Sequence, residues 1–185
     1  MIYDIKNIDL NEINYGNVNV NNNEIIIPIK YNINKLIIKI PCIKCVSFNT
    51  DNIVLQDECI INFFEQFENK IFNDIKKMGK KWGINNNAKF MSFVNNLDGM
   101  KVVKLNFNKI KPVLYDSKKQ IINDIPVINY DTDKVKILIE FTCIIVNNNL
   151  KIINIEIVSH QIQIIESDKI FTQITEFAFS DSTSS

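Results

Sequence analysis

The chain contains no arginine; all 21 of its basic residues are lysine. It has one histidine (His160), one tryptophan (Trp82) and four glycines in 185 residues. Each shortage closes off a class of chemistry. A lone histidine supplies neither a His-containing metal spacing nor the Ser/His/Asp set of a nucleophilic hydrolase. Four scattered glycines build no phosphate-cradling loop. No run of 18 apolar residues is present, so no membrane-spanning helix is expected. Met1–Leu10 carries Asp4, Lys6 and Asp9 where a secretory signal would be apolar. The expectation is an intracellular, non-catalytic chain without a cofactor. His160, beside Ser159 in strand-like sequence, reads as a satisfied structural residue in preference to a catalytic one. Asp131 and Asp133 read as a solvated turn in preference to a divalent-cation site.

Cysteine is also sparse. Cys42 and Cys45 form a Cys-x-x-Cys, with Cys59 and Cys143 elsewhere. A structural zinc site would want a second close pair of ligands, and a thioredoxin-like pair would open a helix. Pro41-Cys42-Ile43-Lys44-Cys45-Val46 is strand-like instead, so buried reduced thiols are preferred over a metal or redox site.

What the chain does have is apolar residues, 46% of the total, enough for one globular domain. Heavy use of Ile and Asn fits AT-rich coding, so the Asn runs at 21–23, 85–87 and 147–149 read as loop filler. One helix is expected from about Asp57 to Met78. Ile60, Phe64, Phe67, Ile71, Ile75 and Met78 recur every three or four residues, with Asp57 as N-cap and Gly79 as C-cap. Trp82 then falls in a basic loop, Gly79–Asn87, and is the expected exposed ring.

Strand-like runs fill the rest. Glu24–Tyr31 carries Pro28, which suggests an edge, and the runs Leu36–Ile40 and Ile43–Phe48 break at Pro41. Lys89–Val94 and Met100–Phe107 flank the Asp98-Gly99 turn. Lys109–Tyr115 leads through the turn Asp116–Lys119 into the apolar run Ile121–Ile128, which Pro126 interrupts. From Lys134 the pattern alternates, with Val135, Ile137, Ile139, Phe141 and Cys143 on one side and Lys134, Lys136, Leu138, Glu140 and Thr142 on the other. The chain reverses at Asn147–Asn149 and returns to Ile165. The fold class expected is mainly β, an OB-fold-like small β-barrel, closed or partly closed, with one inserted amphipathic helix. Residues 1–165 form the domain, and 166–185 a weakly acidic tail frayed at its tip.

The net charge of zero conceals a division. Residues 70–119 carry 12 lysines against Asp74, Asp98 and Asp116, a net +9, while 1–69 come to −4, 120–165 to −2 and 166–185 to −3. Lysines interleaved with rings are what a single-stranded nucleic acid asks for, ammonium groups along phosphates and rings under bases. A plain solvated surface or an acidic protein partner would use the same charges. The candidate nucleic-acid contacts are Lys76, Lys77, Lys80, Lys81, Lys101, Lys104, Lys109, Lys111, Lys118 and Lys119, with Trp82 and Tyr115 as candidate stacking rings. The heavier expectation lies on Lys76–Trp82 and Lys101–Lys111.

Val113-Leu114-Tyr115-Asp116-Ser117-Lys118-Lys119, followed by Asn123-Asp124-Ile125-Pro126-Val127-Ile128, resembles the strand–turn–strand core of the podovirus-type single-stranded DNA-binding proteins. That family has relatives in nucleo-cytoplasmic large DNA viruses. The likeness continues through Asp133–Ile137 and the strand ending Ile153–Val158, with the helix 57–78 in the place of the family's inserted helix. It covers roughly residues 57–165, and it is specific in order and spacing from 109 to 165.

The resemblance implies an OB barrel that coats single-stranded DNA without sequence preference in viral DNA replication, recombination and repair. It places the protein at the viral replication site, a cytoplasmic factory or the host nucleus, with packaging in the virion a further option. In that family a long acidic tail ending in an aromatic residue contacts replication proteins such as polymerase, helicase and primase. Here the tail is short and ends in serines, although Phe177 and Phe179 lie among Glu166, Asp168, Glu176 and Asp181. The hairpin loop that carries rings in the phage proteins is Asn147–Asn149. A homodimer is a further candidate assembly, and no membrane partner is expected. The alternative function is a structural or interaction β-domain, such as a minor virion component or a replication-complex adaptor.

Overall fold

The computed structural model describes residues 1–21, 23–47, 52–123 and 134–165, with backbone alone for 42–47 and 52. The tail 166–185, the Asp131/Asp133 pair, the Pro126 region and the side chains of Cys42 and Cys45 lie outside the described residues. The N-terminal strands are β1 (Ile2–Asp4), β2 (Ile13–Tyr15), β3 (Asn19–Asn21), β4 (Glu24–Tyr31), β5 (Asn34–Ser47) and β6 (Asn52–Leu55). Helix α1 (Glu58–Met78) precedes β7 (Lys89–Phe90), β8 (Val94–Leu97), β9 (Met100–Lys104), β10 (Val113–Tyr115) and β11 (Ile121–Ile122). The hairpin β12 (Lys134–Asn147) and β13 (Ile152–Ile165) closes the described chain. The protein is mainly β with one long helix.

Strand β12 is the centre. One edge pairs antiparallel with β13 along its whole length, and the other pairs with β5 below and β4 above. Its alternation holds from Val135 to Phe141 and then changes parity: Val135, Ile137, Ile139 and Phe141 are buried, and so are Ile144 and Val146. The pairing slips between Phe141 and Cys143, leaving Thr142 as the extra residue of a bulge. A strict period of two would have sent Ile144 and Val146 to solvent.

The core sits between this sheet and α1. Phe64 and Phe67 meet Phe141, with the Phe67 and Phe141 ring centroids 4.2 Å apart, and Phe93 packs on the same cluster. At the start of α1 the Asp57 carboxylate accepts from the N–H groups of Cys59 (2.8 Å) and Ile60 (3.2 Å).

Gly79 follows α1 as its C-cap, but at an ordinary helical φ of −54°, so the chain does not turn away there. Ile84 N–H donates to Gly79 C=O at 2.8 Å and Gly83 N–H to Lys80 C=O at 3.2 Å, with Gly83 left-handed at φ 77°. That hydrogen-bond pair is a Schellman motif with Gly83 as its glycine. The apolar stripe therefore runs one step further, from Met78 to Trp82, and Trp82 is 5% exposed.

Pro41, expected to break a strand, and Pro28, expected to mark an edge, both sit inside paired strands. Pro41 lies in the unbroken β5, at the slip where Ile137 opposes Ile40 and Val135 opposes Ile43, so no regular ladder bond is demanded of it. Pro28 pairs with Cys143 on one side of β4. On the other side it falls between the partners β2 and β3, where the chain crosses at 16–18 and only Gly16 N–H reaches the Pro28 carbonyl, at 2.9 Å. Strand β4 is therefore not an edge.

The described strands run in the order β11-β10-β13-β12-β4-β5-β6-β9-β8, an open path with no strand pairing that joins its two ends. A closed barrel is not formed among the described residues. The arms of the sheet approach at one point, where Asn106 N–H donates to the Ile157 carbonyl at 2.7 Å. No described helix is long and apolar enough to cross a membrane.

Candidate nucleic-acid interface

Tyr115 ends β10, and its neighbours across the sheet follow from the register. Tyr115 opposes Gln163 of β13, and Gln163 opposes Lys136 of β12. One step along, Gln161 opposes Leu138, and Leu138 opposes Lys39 of β5. Residues two apart on a strand share a face, so these two rows lie side by side. Strands about 4.8 Å apart make the patch roughly 14 Å wide from β10 to β5. Lys119, from the turn after β10, completes a groove of about 430 Å³ lined by Tyr115, Lys119, Lys39, Lys136, Gln161 and Gln163.

The turn is built to hold that lysine in place. Asp116 N–H donates to Gln120 C=O (2.9 Å), Gln120 N–H to the Asp116 carboxylate (2.7 Å), and Lys119 N–H to Asp116 C=O (3.0 Å). Lys119 itself takes the left-handed conformation, φ 66°.

Lys39, Lys119 and Lys136 are exposed, and none has a carboxylate partner among the described residues. Carboxylates nonetheless lie near among the described residues. Asp4 opposes Lys39 in the β1–β5 register, its oxygen accepting from Lys6 N–H, and the Asp116 carboxylate is held in its own turn. The Tyr115 ring is half-buried at the groove wall and has no ring partner among the described residues.

The other lysines expected at a nucleic-acid site are not gathered there. Lys76 lies over the Phe72 ring, its Nζ 4.0 Å from the centroid, and Lys77 and Lys80 are exposed around the end of α1. Lys81 borders a second depression beside Tyr15, Asp74 and Trp82. Lys101 pairs with Glu65 at 2.9 Å. Lys104 borders a third groove, rich in asparagine, with Asn95, Asn106, Asn108 and Asn154. Lys109 is bonded to Glu156, and Lys111 and Lys118 are exposed.

Trp82 is not a surface ring. It packs edge-on to Tyr15, centroids 4.8 Å apart, and Tyr15 donates its hydroxyl to Asp74 at 2.5 Å. Burial, and then that carboxylate, push the Tyr15 hydroxyl far above its usual range, so it stays protonated. Lys70 also bonds Asp74, which lets a carboxylate sit buried on the helix.

Beyond the groove, the outer face of the hairpin carries two buried carboxylates. Glu140 meets His160 Nε2 at 2.7 Å and Lys35 Nζ at 3.2 Å. His160 is the residue skipped where Ile139 opposes Ser159 and Leu138 opposes Gln161, and that bulge turns it towards Glu140. Glu156 accepts from Lys109 and Thr142, with the Cys143 thiol 3.6 Å away. Burial pushes the Glu156 carboxyl up, but these donors outweigh it and hold the group below the usual carboxylate range. Lys109 is raised by its bond to Glu156, and Cys143 is raised by burial, which keeps the thiol protonated and inert.

No family model matches the chain, and no curated protein matches it. Sequence reasoning passed over Lys39, Lys136, Gln161 and Gln163. Lys39 and Lys136 lie in segments of net negative charge, which hid them from a count of charge by segment. The alternation at 134–138 was the available signal, because it put Lys136 on the outer side of β12.

Proposed function

We propose that this protein is a non-catalytic single-stranded DNA-binding protein of viral DNA replication, recombination and repair. It has an OB-like architecture and uses the groove around Tyr115 as its strand-binding surface. The observation that carries the reading is the combination at that groove of an available ring, two amides and three lysines that have no carboxylate partner among the described residues. Phosphates are neutralised by Lys39, Lys119 and Lys136, and a base stacks on Tyr115, a contact worth about 1–3 kcal/mol. The close approach of the sheet's arms at Asn106 and Ile157 supports a curled, partly open barrel. The strand, turn and long hairpin described between 109 and 165 agree with the resemblance to the podovirus-type proteins read from the sequence.

A second reading, a structural or adaptor β-domain, draws on the spread of the remaining lysines over separate depressions. Binding separates the two. Trp82 is buried, so the reporter belongs on the nucleic acid. Anisotropy of labelled oligo-dT at about 50 mM salt shows binding that weakens steeply as salt rises and that duplex of equal length displaces poorly. Absence of binding, or equal competition by duplex, favours the structural role.

A further inference from the structure

Gln163 is the groove residue whose hydrogen-bonding sense is fixed by its surroundings. Its Nε2 donates to the carbonyls of Asp116 (3.3 Å) and Ser117 (3.4 Å). Two carbonyl oxygens at one end of an amide can only face its NH2, so the amide has one orientation. Its Oε1 carries no hydrogen bond among the described residues, and the residue lines the groove wall directly across the register from Tyr115. Within the turn 116–120 the Asp116 carbonyl is held by Lys119 N–H, and Ser117 is carried in the same turn, so the acceptor is anchored.

We infer that this corner of the groove makes one nucleotide position selective, preferring a base with an exocyclic amino group, such as cytosine, over thymine. The inference rests on the strand-binding reading above. With the base stacked on Tyr115, an amino N–H of cytosine donates to Gln163 Oε1. At the position where cytosine presents its N4 amino group thymine presents the O4 carbonyl, and a fixed acceptor facing that position loses a hydrogen bond and gains repulsion. Gln161, exposed and two residues along the same face, keeps a rotatable amide that serves donor or acceptor alike. It adds affinity without choosing. The lysines likewise touch only phosphate, so the discrimination resides in one residue.

The test is the affinity of labelled oligo-dC and oligo-dT of one length at one salt concentration, with dCMP as competitor. Oligo-dC binds roughly 3–10-fold tighter, the scale of one hydrogen bond made against one refused. Gln163→Met removes the acceptor and the preference. Because it also removes the anchor of the turn, Gln163→Lys is the second variant: it still donates to both carbonyls, lacks the acceptor and also loses the preference. Equal binding of the two oligomers by the unaltered protein, or a preference that survives in both variants, overturns the inference and leaves strand binding intact. Displacement of both oligomers by dCMP at equal nucleotide concentration would assign the groove to free nucleotides and overturn it too. Failure to bind either oligomer overturns the strand-binding reading beneath it.

Discussion

Trp82 shows how far one residue's role depends on where a helix ends. Its ring is 5% exposed and edge-on to Tyr15, beside the buried Asp74. Trp82→Ala should therefore cost about 3–5 kcal/mol of stability, as large-to-small core changes do, with a large drop in melting temperature. At a temperature where the variant stays folded, its affinity for oligo-dT should equal that of the unaltered protein. A loss of affinity without loss of stability would instead put the ring on the nucleic acid. The sequence contained the signal, since Trp82 lies four residues past Met78 on the same stripe. Two glycines compete for the role of helix stop in Gly79-Lys80-Lys81-Trp82-Gly83, however, and only the backbone shows that Gly83 takes the left-handed conformation. Charge is legible in the same partial way. Twelve lysines between 70 and 119 can be counted in the sequence, but the carboxylates that hold Lys101 and Lys109 come from distant elements, Glu65 of α1 and Glu156 of β13.

At the scale of elements, the β12–β13 hairpin carries the fold, and its two bulges decide what reaches its outer face. Alternation made the hairpin legible, and the three-to-four spacing of apolar residues made the helix legible. The bulges were not, because one extra residue in a long apolar strand leaves no compositional mark. One consequence is the Glu156–Lys109 tie between β13 and the segment after β9. The Glu156 pKa is lowered on folding, so its contribution to stability is full above the unfolded carboxylate value of about 4.3 and is lost as pH falls through the lower folded value. Lys109 is raised, so its contribution is full below about 10.4 and is lost as pH rises through the higher folded value. Denaturant unfolding of the protein and of Glu156→Gln should therefore differ by a constant amount between about pH 5 and pH 9 and converge in acid. A gap that persists unchanged to about pH 2 would mean that shape, not charge, is what Glu156 supplies.

At the scale of the molecule, an open sheet of strands wraps a helix-backed aromatic core and presents one face where β10, β13, β12 and β5 run side by side. That juxtaposition brings Lys39 and Lys136, distant in sequence, beside Tyr115 and Lys119. Strand binding at this face requires that those lysines, and not the larger group near the end of α1, meet phosphate. The most direct measurement is the salt dependence of oligo-dT affinity for three proteins: unaltered, Lys39→Ala/Lys119→Ala/Lys136→Ala, and Lys76→Ala/Lys77→Ala/Lys80→Ala. Each single-strand phosphate contact adds about 0.7 to the slope of log affinity against log salt. The first triple variant should bind more weakly, with the slope reduced by about 2, and the second should stay close to the unaltered protein. The reverse pattern, or identical slopes in all three, would contradict the account.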